Sequence, residues 1–160
     1  MDLDCESVNG RYEVRDLRLG KGHLKTVNGD LELWGVDGDI LGASTINGRI
    51  NGSLALGSAN LSTLNGRIDL KIGKNTGTYR LKNTNGNVLV VLPAGDDVGY
   101  SLKANTLNGA VQFEPVGLDY SVDRRIRKEA QTTGYASKVI KIALEAATLN
   151  GEVRIELERS

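Results

Sequence analysis

The sequence predicts an all-β fold, a β-helix-like solenoid of stacked two-strand rungs with a period of about 19 residues. Two observations support this prediction. A short phrase, usually a hydroxyl residue and an apolar residue followed by Asn-Gly, occurs seven times along the chain. After each copy the residues alternate between polar and apolar, as in Arg67-Ile68-Asp69-Leu70, and this alternation is typical of a strand with one buried face.

The Asn-Gly pairs are evenly spaced over most of the chain. Only the step from Gly109 to Gly151 is about twice as long as the others, and we interpret it as two steps with one phrase missing. A near-constant step indicates one unit repeated along an axis, in which stacking buries the apolar face that no unit can bury alone. The predicted turn and ladder residues are Asn9, Gly10, Asn28, Gly29, Asn47, Gly48, Asn65, Gly66, Asn85, Gly86, Asn108, Gly109, Asn150 and Gly151.

A second, weaker glycine break lies about halfway along each step. We expect it to be the second bend of each rung, so that a rung consists of two short strands and two bends. The breaks are Gly20-Lys21-Gly22, Asp37-Gly38, Gly57, Asn75-Thr76-Gly77 and Gly95-Asp96-Asp97.

Asn-Gly is also the most familiar pair of a type I′ hairpin, so an antiparallel β-meander or sandwich is the alternative architecture. The solenoid is favoured because a hairpin needs the turn residues but not the threonine before them. In a solenoid, Thr45 would stack on Thr63 and Asn47 on Asn65. Such ladders would bond side-chain amides to one another and to the turn backbone.

Composition is consistent with a single domain spanning 1–160 and excludes several functional classes. Lys+Arg and Asp+Glu both number 20, so the chain lacks the excess of positive charge found in nucleic-acid binders, and no nucleic acid is expected as a partner. No apolar run approaches the roughly 18 residues of a transmembrane segment. The first residues are acidic and show no secretory signal, so the sequence leaves localisation unknown.

The repeat is interrupted at about 117–137, before the last rung. Either a short helical turn through Val122, Ile126 and Ala130 or an irregular loop is predicted there. Because loops on a rigid scaffold often carry function, this segment is the predicted interaction surface for an unknown protein or glycan partner. Its candidate residues are Tyr120, Arg124, Arg125, Arg127, Lys128 and Tyr135.

After the interruption, a strand over 138–146 and the final phrase are predicted to form the last rung of the stack. The strand that ends this rung is rich in charged residues, including Glu152, Arg154 and Glu156. Charges on a terminal strand oppose pairing between edges, which argues against assembly through this end.

No catalytic, cofactor-binding or metal-binding residues are predicted, and we do not expect an enzyme. His23 is the only histidine and lies at a predicted bend without a His or Cys partner, so a zinc site or His-based triad lacks its residues. Glu32 and Asp69 would approach each other only if the rungs align. Alternation of such acids with Arg and Lys is typical of a solvated face, so a carbohydrate-active β-helix enzyme is the least favoured prediction.

The phrase and its spacing resemble the bacterial and archaeal family named "putative adhesin", the domain of unknown function 4097. The similarity extends over nearly the whole chain to the final Thr148-Leu149-Asn150-Gly151 rung. It implies a β-helix-like stack at the cell envelope or outside the cell, acting as a non-catalytic adhesin-like scaffold or interaction module without a cofactor.

A looser similarity connects the chain to bactofilins, which are polymer-forming β-helices. It depends on Gly38-Asp39-Ile40-Leu41-Gly42 and Gly48-Arg49-Ile50-Asn51-Gly52. This similarity implies, as the alternative function, a self-assembling structural polymer joined through its end rungs.

Overall fold

The computed structural model describes residues 2–114 and 118–158, so Gly117, at the start of the predicted interruption, lies outside the described residues. All fourteen strands of this part of the chain belong to one coiled sheet, accompanied by a single 3-10 turn at Tyr135–Ser137. The strands are β1 Asp2–Glu6, β2 Tyr12–Arg15, β3 Arg18–Lys25, β4 Leu31–Asn47, β5 Ile50–Asn65, β6 Ile68–Ile72, β7 Gly77–Asn85, β8 Val88–Leu92, β9 Val98–Asn105, β10 Val111–Phe113, β11 Leu118–Arg124, β12 Arg127–Thr132, β13 Ile140–Ala147 and β14 Val153–Leu157.

The predicted solenoid is confirmed, because the strands of successive rungs pair in parallel and in register. Leu31 pairs with Ile50, Ile50 with Ile68, and Ile68 with Val88. All four side chains are fully buried, and they form one column of the core that runs along the stack. The antiparallel meander would have paired the two strands that flank each Asn-Gly, and the structure does not have that arrangement.

The predicted second bend is a break in only some rungs. Gly20-Lys21-Gly22 lies inside β3, and Asp37-Gly38 and Gly57 lie inside β4 and β5, which continue around the corner without losing their pairing. A Cβ at position 38 would lie 1.9 Å from the carbonyl oxygen of Leu19, so glycine is needed there for close packing of the rungs rather than to end a strand. His23 is consequently a residue of β3 and does not lie at a bend.

The rungs are not stacked in the order of the chain. β13 lies between β7 and β9, and β14 lies between β8 and β10, so the last rung of the sequence is inserted between two earlier ones. Asn150 accordingly bridges to both Asn85 and Asn108. The long step from Gly109 to Gly151 therefore contains no missing phrase, and the prediction that this charged rung ends the stack was wrong.

The predicted interruption forms a β-hairpin, so the helical turn through Val122, Ile126 and Ala130 was a wrong prediction. β11 and β12 pair with each other antiparallel, and β12 also pairs antiparallel with the outer edge of β9. At the hairpin tip the carbonyl groups of Arg125 and Ile126 accept hydrogen bonds from the N–H groups of Val111 and Thr106, both at 2.8 Å. The hairpin satisfies an edge that the solenoid would otherwise leave unpaired.

The described residues include no helix that is long and apolar enough to cross a membrane.

Candidate functional site

The predicted turn residues lie along one edge of the stack, where they form two ladders. Each asparagine except Asn9 donates from Nδ2 to Oδ1 of the asparagine in the neighbouring rung, and the six bonds are 2.7–3.0 Å long. The threonine of the phrase is buried and donates its hydroxyl to the glycine carbonyl of the adjacent rung, as Thr63 does to Gly48 at 3.0 Å. These residues therefore hold rungs together.

The glycine of the phrase is required by close stacking. A Cβ at position 66 would lie 1.7 Å from the carbonyl oxygen of Gly48, and a Cβ at position 48 would lie 1.9 Å from that of Gly29. Within the seven phrases only Gly86 and Gly151 have positive φ angles. The side chain is thus excluded mainly by the neighbouring backbone, and not by a left-handed conformation.

The basic cluster of the predicted interaction surface is divided by ion pairs. Arg127 pairs with Glu129 at 3.0 Å, and Lys128 pairs with Asp123. Arg124 and Arg125 are exposed at the hairpin tip, and no side-chain ion pair to either is found between residues 2 and 114 or 118 and 158. Because half of the cluster is paired with acids, these residues do not form a uniformly basic patch.

The two tyrosines of the predicted surface do come together around one groove. It has a volume of about 540 Å³ and lies along β9, β12 and β11, with Tyr135 on the loop that follows. Its other polar lining includes Lys103, Asp119 and Glu129. Tyr120 also stacks on Phe113, with ring centroids 6.2 Å apart. We call this cavity the hairpin groove.

Sequence reasoning missed a second feature, Trp34, which lies at a corner of β4. Leu33 pairs with Gly52, whereas Val36 pairs with Leu54, so Trp34 and Gly35 together oppose the single residue Ser53. This is a β-bulge, and bulges are rare in parallel pairs. Gly35 has a φ of 66°, and its N–H donates to Ser53 Oγ at 2.8 Å.

The preceding rung fixes the bulge from the other side. Asp16 is the one non-glycine residue with positive φ in the described chain, at 50°, and its N–H donates to the carbonyl oxygen of Trp34 at 2.9 Å. A bulge bends its strand and re-aims a side chain. Trp34 is accordingly left 41% exposed, at the side of a groove of about 550 Å³ that we call the Trp34 groove.

The sequence does contain a signal for the bulge. The step from Gly48 to Gly66 is one residue shorter than the step from Gly29 to Gly48. That shortening corresponds to the residue that the bulged rung has and the next rung lacks, since the pairing register shifts by one at Trp34. A tryptophan next to such a change in step length is therefore the sequence feature that indicates the bulge.

The acidic residues considered as a catalytic set do not converge. The rungs align, but Asn51 lies between Glu32 and Asp69 in the outward column. Glu32 pairs with Arg11, at 2.5 Å, and Asp69 pairs with Arg67, at 2.9 Å. The hydrogen bond to Glu32 and the negative charge of its carboxylate raise the pKa of Arg11 above its usual value.

His23 lies on the outward face of β3, beside acids of the neighbouring strand. Its Nε2 is 3.6 Å from a carboxylate oxygen of Glu6, and Asp4 is the third member of this exposed group. Exposed acidic groups of this kind are common on paired strands. Nothing further in the described residues indicates a ligand at this group.

Comparison with known proteins adds one structural likeness. No protein-family model and no curated protein matches the chain. A similar solved structure is that of a putative cell adhesion protein from Clostridium sporogenes, with a TM-score of 0.57 and 18% sequence identity over 76% of this chain. This chain spans 56% of the length of that protein. At this identity the likeness shows a shared fold.

Proposed function

We propose that this protein is a non-catalytic, adhesin-like interaction module that acts at or near the cell envelope, of the kind found in domain of unknown function 4097. The observation that carries the proposal is a contrast between two parts of the molecule. The stack is regular and its repeated polar groups are bonded between rungs, whereas the hairpin is irregular and covers one side of one end. A rigid scaffold that presents one irregular surface suits recognition. The description of the Clostridium structure as a putative cell adhesion protein supports the same role.

The hairpin groove is the proposed binding surface. Its lining combines a tyrosine wall with charged groups of both signs, including Lys103, Asp119 and Glu129. Tyrosine supplies large contact area with few rotatable bonds, and mixed polar groups supply hydrogen bonds. A protein or glycan partner on the cell surface fits this chemistry better than a uniformly charged polymer does.

Adhesion under flow tests the proposal. Microspheres coated with the purified protein should attach to surfaces carrying bacterial envelope glycans or envelope proteins, and should attach several-fold less with Tyr135→Ala or Lys103→Ala. Lys82→Ala is the matched control, because Lys82 is exposed on β7 outside the groove. Attachment no greater than that of albumin-coated beads would contradict the adhesin role. Shortening of the offered glycans would contradict the non-catalytic role.

Self-assembly is the second candidate function, and one observation favours it. β1 pairs only with β3, and β2 pairs only with β4, so one end of the described stack presents unpaired strand edges. At the opposite end the hairpin pairs with β9, on one side of the stack only. The two ends therefore do not match each other as flat surfaces for head-to-tail assembly. Light scattering coupled to size-exclusion chromatography should therefore give a 17.2 kDa monomer. Filaments in negative-stain images would move self-assembly to first place.

A further inference from the structure

We propose that the Trp34 groove binds an uncharged oligosaccharide, with one pyranose ring lying on the indole of Trp34. This inference deepens the proposed function, because it names a ligand class for an interaction module at a site away from the hairpin groove.

The aromatic surface of the groove suits a sugar ring. The face of an indole carries negative charge in its quadrupole, and the axial C–H groups on one face of a pyranose present weak positive charge to it. The backbone of the bulge that carries Trp34 is held from both sides, since Asp16 N–H donates to the carbonyl oxygen of Trp34 and Gly35 N–H donates to Ser53 Oγ. The other residues that line the groove include Gly35, Gly73 and Ala55, whose side chains are absent or small.

The charges of the groove do not favour a ligand of either sign. Its lining includes two cations, Lys71 and Lys74, and two anions, Asp37 and Glu158. Lys71 is already paired with Glu158 at 2.8 Å, and Lys74 lies 3.7 Å from Asp97. With no net charge in the lining, neither a polyanion nor a basic peptide gains an electrostatic advantage there.

Asp37 supplies an acceptor for sugar hydroxyl groups. Its carboxylate is exposed, and among the residues that the structure describes no cation within ion-pair distance of it is found. Asp37 also lines the neighbouring hollow of about 490 Å³, together with Lys74 and Ala55. The two hollows therefore adjoin at this residue, and the second is also lined by Arg18 and Asp39, whose charges again cancel.

The two adjoining hollows offer room for more than one sugar unit. The first hollow lies within the size range of small-ligand sites, roughly 300–1,000 Å³, and the second extends it past Asp37. A disaccharide should therefore bind more tightly than its monosaccharide, because the second ring gains contacts with no further loss of overall rotation and translation.

An extended peptide is a poorer fit than a sugar. Peptides that bind to sheets usually add a strand to an unpaired edge. At this corner Val36, Leu54 and Ile72 belong to strands that are paired in register with one another, so the backbone offers no edge for such an addition. Side chains alone must then provide the polar contacts, and hydroxyl groups distributed around a ring match that requirement.

Trp34 makes the test direct, since it is the one tryptophan of the chain and its fluorescence reports this groove alone. The purified protein should be titrated with mono- and disaccharides of glucose, galactose, mannose and N-acetylglucosamine. We expect at least one disaccharide to shift the emission and to shield Trp34 from acrylamide quenching. We expect the matching monosaccharide to bind at least threefold more weakly.

Variants locate the binding by calorimetry. Trp34→Ala should weaken binding by about tenfold or more, equivalent to about 1.4 kcal/mol, and Trp34→Phe should weaken it less. Asp37→Asn should weaken it several-fold. Ile40→Ala and Asp96→Asn are the matched controls, because both residues are exposed and neither lines the groove. Circular dichroism checks that each variant retains its sheet.

Three results would overturn the proposal. They are the absence of shielding by every sugar of the panel, undiminished binding by Trp34→Ala, and tighter binding of sulfated or sialylated glycans or of an unstructured peptide than of any neutral sugar. Because this titration needs no cell surface, its failure would leave adhesion through the hairpin groove standing. Positive titration without adhesion of coated beads would instead indicate a sugar-binding protein that is not an adhesin.

Discussion

Gly66→Ala tests whether the glycine of each phrase is there for close stacking. The added Cβ would lie 1.7 Å from the carbonyl oxygen and 2.7 Å from the carbonyl carbon of Gly48. Both are backbone atoms, so the overlap is relieved only when the two rungs separate at the turn. Separation weakens three hydrogen bonds between these rungs, which are Gly48 N–H to Asn65 O, Ile50 N–H to Arg67 O and Thr63 Oγ1–H to Gly48 O. At about 1 kcal/mol for each bond, we expect a loss of about 3 kcal/mol.

Two further variants provide the controls for Gly66→Ala. Gly10 has the same place in the same phrase, but the nearest atom to its Cβ position is the Ser7 hydroxyl at 3.0 Å, because no rung is described beyond it. Gly29 belongs to the next rung, yet its Cβ position lies 1.8 Å from the carbonyl oxygen of Gly10. Gly29→Ala therefore separates the effect of stacking from that of position near an end.

Thermal unfolding followed by circular dichroism distinguishes these variants. A loss of about 3 kcal/mol lowers Tm by about 6–12 °C in a protein of this size. We expect such a decrease for Gly66→Ala and Gly29→Ala, and a decrease of less than about 3 °C for Gly10→Ala. Equal decreases in all three would refute the reasoning, since they would mean that glycine is needed for the local conformation of every turn.

Three other substitutions give separate predictions. Asn83 occupies the threonine position of its phrase and donates to the carbonyl oxygen of Gly66, but its Oδ1 is buried without a partner. Asn83→Thr should therefore raise Tm by about 2–4 °C in a calorimetric scan, and a lower Tm would contradict this. Asn65→Ala removes two side-chain hydrogen bonds of the asparagine ladder and should lower the free energy of unfolding in urea by about 1–2 kcal/mol. An unchanged urea midpoint would show that the exposed ladder contributes nothing to stability. Burial raises the pKa of Tyr79. The stability that depends on its neutral hydroxyl group is therefore complete below the unfolded pKa of about 10, and it is lost as pH rises from there through the folded pKa. Tyr79→Phe should therefore be less stable at pH 7, because Leu56 N–H loses its acceptor, but should lose less stability than the parent between about pH 9 and 11.

The parallel stack could be predicted because the phrase contains more than a turn. Threonine before Asn-Gly has no role in a hairpin, and the structure gives it one, the bond from each rung to the glycine carbonyl of its neighbour. Asn51-Gly52 illustrates the same point, since this pair lacks the rest of the phrase and lies within β5 instead of forming a turn. A whole phrase is thus informative where its turn residues alone are not.

The stacking order could not be predicted from the repeat. Each rung presents the same ladder groups and the same aliphatic core residues, so the pattern does not specify which two rungs are neighbours. The order depends on connections, above all on residues 93–97, which pass over the width of the inserted strands. The hairpin was missed for a related reason. Its partner is the edge of β9, and that edge is exposed only because the rungs are out of order.

The interaction surface stays a prediction, but the structure shows how its residues are arranged. The sequence placed Tyr120 and Tyr135 at the irregular segment, and both line one groove. It treated the four basic residues as one cluster, although Arg127 and Lys128 are bonded to acids of the hairpin itself. Arg127 and Glu129 lie two residues apart on β12, whereas Lys128 and Asp123 are partners across the hairpin. The second pair depends on register, which an antiparallel hairpin acquires only after it has folded.

The insertion of the last rung has a consequence for the synthesis of the protein. A solenoid normally can add rungs one after another as the chain leaves the ribosome. Here β9 and β10 cannot join the earlier rungs of the stack until β13 and β14 have been made, and β14 ends at Leu157, long after β10 ends at Phe113. At about 5–20 residues per second, the nascent chain therefore carries two exposed pairs of strand edges for about 2–9 s. During that time the gap can accept any strand of suitable pattern, including the last rung of a second nascent copy.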